Sequence, residues 1–323
     1  VSAGDPLWLL LGALLLDALL GDPDWLWRRM PHPVVLAGRA VGFLDRRLND
    51  AGLPPKRRRG YGAFAVGLLA LGAVALGLLL HSLLAALPLG WLAELAVVSV
   101  LLAQNSLYRH VARVLDGFHA GGLAGARDAV RHIVGRDPEA LDEPALCRAA
   151  VESLAENFSD GVVGPALWYA LLGLPGLFAY KVINTADSMI GHRSERYREF
   201  GWAAARLDDL VNLPASRLSA LLIALGGLPH NRWHGAWQAV FADARRHRSP
   251  NAGWPEAAMA GALGIALAGP RSYHGELVED AWMNAAGRRT VTPEDIGRAL
   301  RLYMRACIAG WVLVAGAALL LSG

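Results

Sequence analysis

Lys56-Arg57-Arg58-Arg59-Gly60 runs directly into Tyr61-Gly-Ala-Phe-Ala-Val-Gly-Leu-Leu-Ala-Leu-Gly-Ala-Val-Ala-Leu-Gly-Leu-Leu-Leu80, twenty residues without a charge. A helix of that length spans a hydrocarbon core of ~30 Å at ~1.5 Å per residue. The cations at its start orient it. Residues 21–60 hold nine Lys/Arg, whereas residues 81–88 beyond its far end hold none. The excess of Lys/Arg on cytoplasmic loops puts 21–60 in the cytoplasm and the segment before it outside.

Three more stretches read as spans. Residues 7–20 are apolar around Asp17, with no basic residue ahead of them, which favours a retained anchor over a cleaved leader. Residues 89–108 carry only Glu94 until Arg109, and residues 306–323 carry no charge. Three crossings leave Arg109 onward in the cytoplasm. Residues 161–180 are uncharged but interrupted by Pro165 and Pro175, residues 210–229 hold Pro214 and Arg217, and residues 257–269 are short. Proline in a helix interior removes a hydrogen bond and clashes with the preceding turn. These three are expected to be buried, broken or re-entrant helices, tolerated where they line a protein cavity.

The composition agrees, with 54% hydrophobic and 18% charged residues against about 25% charged in soluble domains. A net charge of +3 gives no sign of a nucleic-acid partner. Cys147 and Cys307 have no metal-ligand spacing around them and read as packing residues. Strand alternation and internal repeats are absent from the pattern. The fold class is therefore all-α: a polytopic integral membrane protein, taken as a single domain over 1–323, with broken helices around a cytoplasm-facing acidic cavity.

Three polar motifs carry the chemistry. In Glu152-Ser-Leu-Ala-Glu156-Asn157-Phe-Ser-Asp160-Gly161 the acids recur at i, i+4 and i+8, one face of a helix. Like charges at that spacing repel, and a divalent cation would remove the penalty. Lys181-Val-Ile-Asn184-Thr-Ala-Asp187-Ser188-Met-Ile-Gly191-His192 repeats oxygen donors at helical spacing. Arg206-Leu-Asp208-Asp209-Leu-Val-Asn212 places Asp208 and Asn212 together at i, i+4. Oxygen-only donors suit Mg²⁺, which binds through one or two carboxylates plus substrate phosphates. Glu152, Glu156, Asn157, Asp160, Asn184, Asp187, Asp208, Asp209 and Asn212 are the candidate metal ligands. The plainer readings are a solvated acidic face, a polar helix cap, and an Arg206–Asp209 ion pair. Ionisable groups abutting apolar segments point to function instead.

Two motifs stand apart. Asp17-Ala-Leu-Leu-Gly21-Asp22-Pro23 is followed by Pro31-His32-Pro33-Val34 and Arg39, with His32 in a rigid turn. Ser249-Pro-Asn251-Ala-Gly253-Trp254-Pro255-Glu256 reads as a turn leading into a helix. No G-x-x-x-x-G-K-[ST] loop, G-x-S-x-G elbow or H-E-x-x-H is present, so any ATP binds without a Walker motif.

These motifs, in this order, resemble the CobD/CbiB adenosylcobinamide-phosphate synthase family. The resemblance runs from the Asp17 and His32-Pro33 opening through Val134-Gly135-Arg136-Asp137 and the Glu152–Gly161 and Tyr180–Met189 runs. It continues through Phe200-Gly201, Ala205-Arg206-Leu-Asp208-Asp209 and 249–262, covering roughly residues 14–280. Ala186 stands where the family usually has Leu, and Pro138 where it more often has Thr.

The resemblance implies ATP-dependent condensation of adenosylcobyric acid with (R)-1-aminopropan-2-yl phosphate to adenosylcobinamide phosphate. ATP is then a co-substrate and Mg²⁺ a cofactor, in a bacterial inner membrane with the site facing the cytoplasm. Other membrane enzymes of cobalamin assembly are implied partners beside the bilayer. Lys181, Arg206 and Arg136 would neutralise charge on the transferred phosphoryl, and His32 or His192 would accept the amine proton. Arg39, Asn251 and Ser188 join Arg136 as substrate- or phosphate-binding candidates. Two alternatives remain at this stage: a Mg²⁺-dependent membrane phospho- or prenyltransferase, and a non-enzymatic membrane sensor or transporter.

Overall fold

A computed structural model describes residues 5–21, 27–131, 139, 141–273, 276–278 and 280–321. Helices dominate: α1 Pro6–Leu20, α2 Pro33–Leu48, α3 Pro55–Ala85, α4 Gly90–Leu101, α5 Gln104–Val130, α6 Glu143–Asn157, α7 Gly164–Ile190 and α8 Trp202–Gly226. They are followed by α9 Trp233–Asp243, α10 Gly253–Leu263 and α11 Pro293–Leu321. The described strands, β1 Leu267–Ala268, β2 Arg271–Tyr273, β3 Glu276–Val278 and β4 Trp282–Met283, form two antiparallel pairs, β1–β4 and β2–β3. The fold is all-α.

Among the described residues five helical stretches carry an 18-residue segment apolar enough to cross a membrane: Pro55–Ala85, Gly90–Val130, Glu143–Ile190, Trp202–Gly226 and Pro293–Leu321. Their outward faces are apolar, as lipid contact requires: Leu71, Leu76, Leu79 and Leu83 on α3, and Val312, Leu319 and Leu320 on α11, are exposed. This set differs from the four spans expected. Helix α1 has 15 residues, about 22 Å at 1.5 Å per residue, and is too short to cross alone. The expected 89–108 span falls within the Gly90–Val130 stretch, with a local interruption at Leu102, whose extended backbone separates α4 from α5. The segments 161–180 and 210–229 fall in helices of membrane-crossing length instead. Proline accounts for only part of this. Gly173 has φ 64° just ahead of Pro175 and interrupts α7 as foreseen, while Pro214 lies inside an unbroken α8.

The chain gathers into two compact units. The first comprises Val1–Ala103, Gly164–Asn212 and Ala317–Gly323; the second comprises Gln104–Val163 and Leu213–Gly316.

In the first unit α3 packs along α7, and α2 packs on both. A side chain at Gly77 would strike the Pro175 backbone, so α3 and α7 approach backbone to backbone there. Inside this unit Tyr169 donates to Glu94 Oε1 at 2.8 Å, and His81 Nδ1 lies 3.3 Å from Glu94 Oε2. The one acid in the 89–108 segment is thus satisfied where it is buried.

In the second unit α5 folds back at Gly121-Gly122, where Gly122 has φ 58°, and its two arms meet at Gly117 and Gly125. Helix α6 starts on Asp142, whose Oδ1 accepts the Ala145 N–H at 2.9 Å, and widens into a π-helical turn over Phe158–Val163. Helices α9 and α10 cross at Gly235 and Gly261. Cys147 and Cys307 are both buried and unbridged.

Candidate active site

In the first unit the second half of α7 supplies Lys181, Asn184, Asp187 and Ser188, and the first half of α8 supplies Arg206, Asp208, Asp209 and Asn212. The 191–201 connection sets their approach. A Cβ on Gly201 would collide with the Ile190 carbonyl, and one on Gly62 with the Phe200 carbonyl. Phe200 is wholly buried in a cluster with Val41, Val66, Ala186, Ile190 and Ala204. The basic run at 56–59 clamps the same connection from outside. Arg59 bonds Glu199 at 2.8 Å, Arg58 donates to Asn49, and Arg196 donates to Asp45 at 2.7 Å.

Within that frame a directional chain of hydrogen bonds ends on one carboxylate. Tyr180 Oη donates to Asn212 Oδ1 at 2.8 Å, and Asn212 Nδ2 donates to Asp208 Oδ2 at 3.0 Å. Asn184 Nδ2 approaches Asp208 Oδ1 from the other side at 3.3 Å. Tyr180, Asn212 and Asp208 are buried. Asp187 is near enough to repel Asp208, and its carboxylate lies against Gly191, where a Cβ would collide with it. Tyr180 in turn fits only because residue 164 is glycine, since a Cβ there would meet the phenol.

The arrangement is a buried carboxylate oriented by two amides with a second carboxylate beside it. Each Asp208 oxygen takes one N–H, and a carboxylate offers about four lone-pair directions, so acceptor capacity remains for a hard cation. Among the described residues no three His, Cys, Asp or Glu side chains converge as a metal-holding group. The donor set therefore fits an ion that takes one or two protein carboxylates and fills its shell with water and phosphate, as Mg²⁺ does.

The other candidates of this unit are placed differently. Arg206 is exposed and pairs with Asp209 at 3.6 Å, the i,i+3 pairing foreseen as its structural alternative. Such exposed pairs are worth about 0–1 kcal/mol, so the guanidinium is readily released. Ser188 is exposed and donates to the Asn184 carbonyl at 3.0 Å. Lys181 is half-buried, Arg39 is exposed on α2, and His192 is exposed just beyond α7. His32 is the N-cap of α2: its Nδ1 accepts the Val34 N–H at 3.2 Å. That bond places the ring proton on Nε2, which makes a capping His32 a poor proton acceptor.

Glu152, Glu156, Asn157, Asp160 and Asn251 belong to the second unit. Glu152 and Glu156 lie on α6, but Asp160 falls in the π-helical turn, so the expected i, i+4, i+8 face is not a regular α-helical one. Glu152 is buried and its Oε1 accepts the Ala268 N–H at 2.8 Å, where Ala268 has φ 56°. It thereby tethers β1. Glu156 and Asn157 are exposed, and Asn157 donates to the Ser153 carbonyl at 2.9 Å. Asn251 is buried, and its Oδ1 accepts from Arg217 at 2.8 Å and from Ser216 at 3.1 Å, while Arg217 lies 4.4 Å from the Trp254 ring. Arg136 lies outside the described residues.

Tyr180, Gly191 and Arg217 are absent from the sequence-derived set. Arg217 had a visible signal, as the one charge within 210–229. Tyr180 entered only through the Tyr180–Met189 run that carries the resemblance, because its partner is 32 residues away.

Fold and site together define a multi-pass helical membrane protein with a buried carboxylate–amide centre. The family model for CobD/CbiB proteins matches residues 10–303. The chain belongs to the CobD/CbiB family. It is 58% identical over 308 residues to the cobalamin biosynthesis protein CobD of a Sinorhizobium species, covering 93% of this chain and 95% of that protein. It is 52% identical to the protein of the same name from Brucella suis, covering 90% of each, and 47% identical to that of Rhodobacter capsulatus, covering 94% of each. No solved structure matches significantly.

Proposed function

We propose that this membrane protein is an adenosylcobinamide-phosphate synthase: it joins adenosylcobyric acid to (R)-1-aminopropan-2-yl phosphate in an ATP-dependent amide-forming reaction. The observation that carries the reading is the convergence of Asn184, Asp208 and Asn212 beside Asp187, in a chain whose relatives are cobalamin biosynthesis proteins. A carboxylate does not condense with an amine at neutral pH without activation. In this reading a propionate oxygen takes the terminal phosphoryl of ATP, releasing ADP. The amine then attacks the acyl carbon, phosphate leaves, and one amine proton is lost.

Asp208 and Asp187 would hold Mg²⁺, with Asn184 and Asn212 orienting the ligating carboxylate. The ion supplies charge neutralisation on the nucleotide phosphates. Lys181 sits one turn before Asn184 and would neutralise the transferred phosphoryl, joined by Arg206 on release from Asp209. Arg136, Arg39, Ser188 and Asn251 are retained as substrate or phosphate contacts, and Glu152, Glu156, Asn157, Asp160 and Asp209 as further candidates for metal. His192 is the better candidate base, since His32 is engaged as a cap. ATP supply places this site on the cytoplasmic side of the inner membrane.

The test is incubation of detergent-purified protein with adenosylcobyric acid, aminopropanol phosphate, Mg²⁺ and ATP, followed by product mass. Adenosylcobinamide phosphate formed only with ATP, with one ADP per amide, is the expected result. Amide formation without nucleotide consumption would overturn the mechanism, and no product from folded protein would overturn the assignment.

A further inference from the structure

The second unit contains a basic pocket that the proposed reaction does not use. It lies where the end of α8 meets α11. A Cβ on Gly226 would come within 2.9 Å of the Ala306 nitrogen and 3.1 Å of the Leu302 carbonyl, so these backbones pack in near contact. The chain then turns through Leu228–His230, Asn231 adopts φ 54°, and the Arg232 N–H closes the loop on the Gly227 carbonyl at 3.1 Å. That turn carries Arg232 back toward α11, where Arg298, Arg301 and Arg305 recur at helical spacing. Together with His230 they line a cavity of about 200 Å³.

The charge balance is one-sided. Arg298 is committed, donating to Asp295 at 2.7 Å and to the Leu263 carbonyl at 2.7 Å. Among the described residues the guanidinium groups of Arg232, Arg301 and Arg305 make no hydrogen bond or ion pair, and none of the residues lining the cavity is a carboxylate. Burial, followed by the charges of Arg298, Arg305 and Arg301, pushes the Arg232 guanidinium below its ordinary range. Guanidinium groups held together against mutual repulsion lower their energy by sharing an anion, and their planar forks match phosphate oxygens. The pocket is smaller than the ~300–1,000 Å³ of a typical small-molecule site, which favours a phosphate head over a whole nucleotide. Its level fits too: Arg305 immediately precedes the uncharged run from Ala306, and α8 ends at Gly226. Charged side chains at such a boundary meet both the aqueous phase and lipid headgroups.

We propose that Arg232, Arg301 and Arg305, braced by Arg298, form a phosphate-binding site for either a phospholipid headgroup or a small soluble phosphate. It does not depend on the reaction proposed above. The test uses full-length protein in a neutral detergent without Mg²⁺. One arm titrates sodium pyrophosphate by calorimetry. The other measures retention of phosphatidylglycerol against phosphatidylcholine by native mass spectrometry. Wild type should bind in at least one arm, and the Arg301→Gln/Arg305→Gln double variant should weaken that binding by tenfold or more. Arg113→Gln, which removes an exposed charge elsewhere in the same unit, should change nothing. Loss in the pyrophosphate arm assigns a soluble ligand, and loss in the lipid arm assigns the headgroup. Single Arg232→Gln and Arg305→Gln variants are read alongside, so a double variant that does not fold leaves the test intact. Absence of binding in both arms, or equal binding by folded variants, overturns the proposal.

Discussion

The carboxylate centre of the first unit and the arginine pocket of the second place charge in helical, largely apolar surroundings, and they stabilise it by opposite means. Around Asp208 the protein supplies neutral donors. Asn184 and Asn212 each donate to one oxygen of the carboxylate, and Tyr180 fixes Asn212. Among the described residues the second unit gives Arg232, Arg301 and Arg305 no protein anion. A charge held by amides is oriented whether or not a ligand is present, whereas cations held against one another are relieved only by a ligand. The first is a preorganised centre for charge that develops during a reaction. The second is a receptor for charge that arrives ready-made.

The contrast can be broken in several ways. The largest effect is expected from Asp208→Ala. Removing the central carboxylate forfeits several kcal/mol of charge stabilisation, so amide formation should fall by ~10³-fold or more. Near-normal turnover in folded protein would remove the centre from the reaction.

Tyr180→Phe takes away one hydroxyl and leaves Asn212 Oδ1 buried without that donor. Loss of such an orienting partner costs about 10- to 100-fold in metal affinity or activity, along with ~1–3 kcal/mol of stability. The effect should appear in the Mg²⁺ dependence of turnover; a pure stability loss with unchanged Mg²⁺ dependence would reduce Tyr180 to a packing role. Gly191→Ala sharpens the same point, because its methyl displaces the Asp187 carboxylate without removing a functional group. A rise of about tenfold in the Mg²⁺ requirement is expected. The smallest effect belongs to Arg206→Gln. Its exposed pair with Asp209 should contribute no more than about 1 kcal/mol to stability, so a clear drop in turnover at unchanged melting temperature would separate a chemical role from the ion pair.

The two units also differ in how far they could be read beforehand. Asp208 and Asn212 share a helix at i, i+4, and local periodicity alone brings them together. The second acidic motif joins them because α7 and α8 are consecutive elements with a short, glycine-dependent connection. Glu152 shows the opposite case, a contact that local spacing does not reveal. Its spacing from Glu156 suggested a shared cation, but the strand that uses its carboxylate lies 116 residues later. The π-helical turn at Phe158–Val163 was equally invisible, since an extra residue in one turn depends on packing such as Phe158 edge-on against Tyr303, ring centroids 5.4 Å apart. His32, between two prolines, looked like a catalytic candidate and serves as a helix cap.

The spans show the same division. Continuous apolar runs located α3 and the final helix, because their outward faces must match hydrocarbon wherever the rest of the chain goes. Proline positions did not predict breaks uniformly: Pro175 follows a true interruption at Gly173, while α8 absorbs Pro214.

By itself, then, the sequence determined what depends on composition and on neighbours along one helix: an all-α membrane protein, its family motifs, and carboxylates and amides at helical spacing. Only the tertiary structure decided which of those groups meet. It selected Tyr180, Asn212 and Asn184 as the partners of Asp208, assigned Glu152 to a strand, and gathered four arginines from a loop and a helix into one pocket. The physical reason is that hydrogen bonds and charge clusters act over a few ångströms, and which distant residues come that close is set by backbone approach at glycines such as Gly62, Gly201 and Gly226.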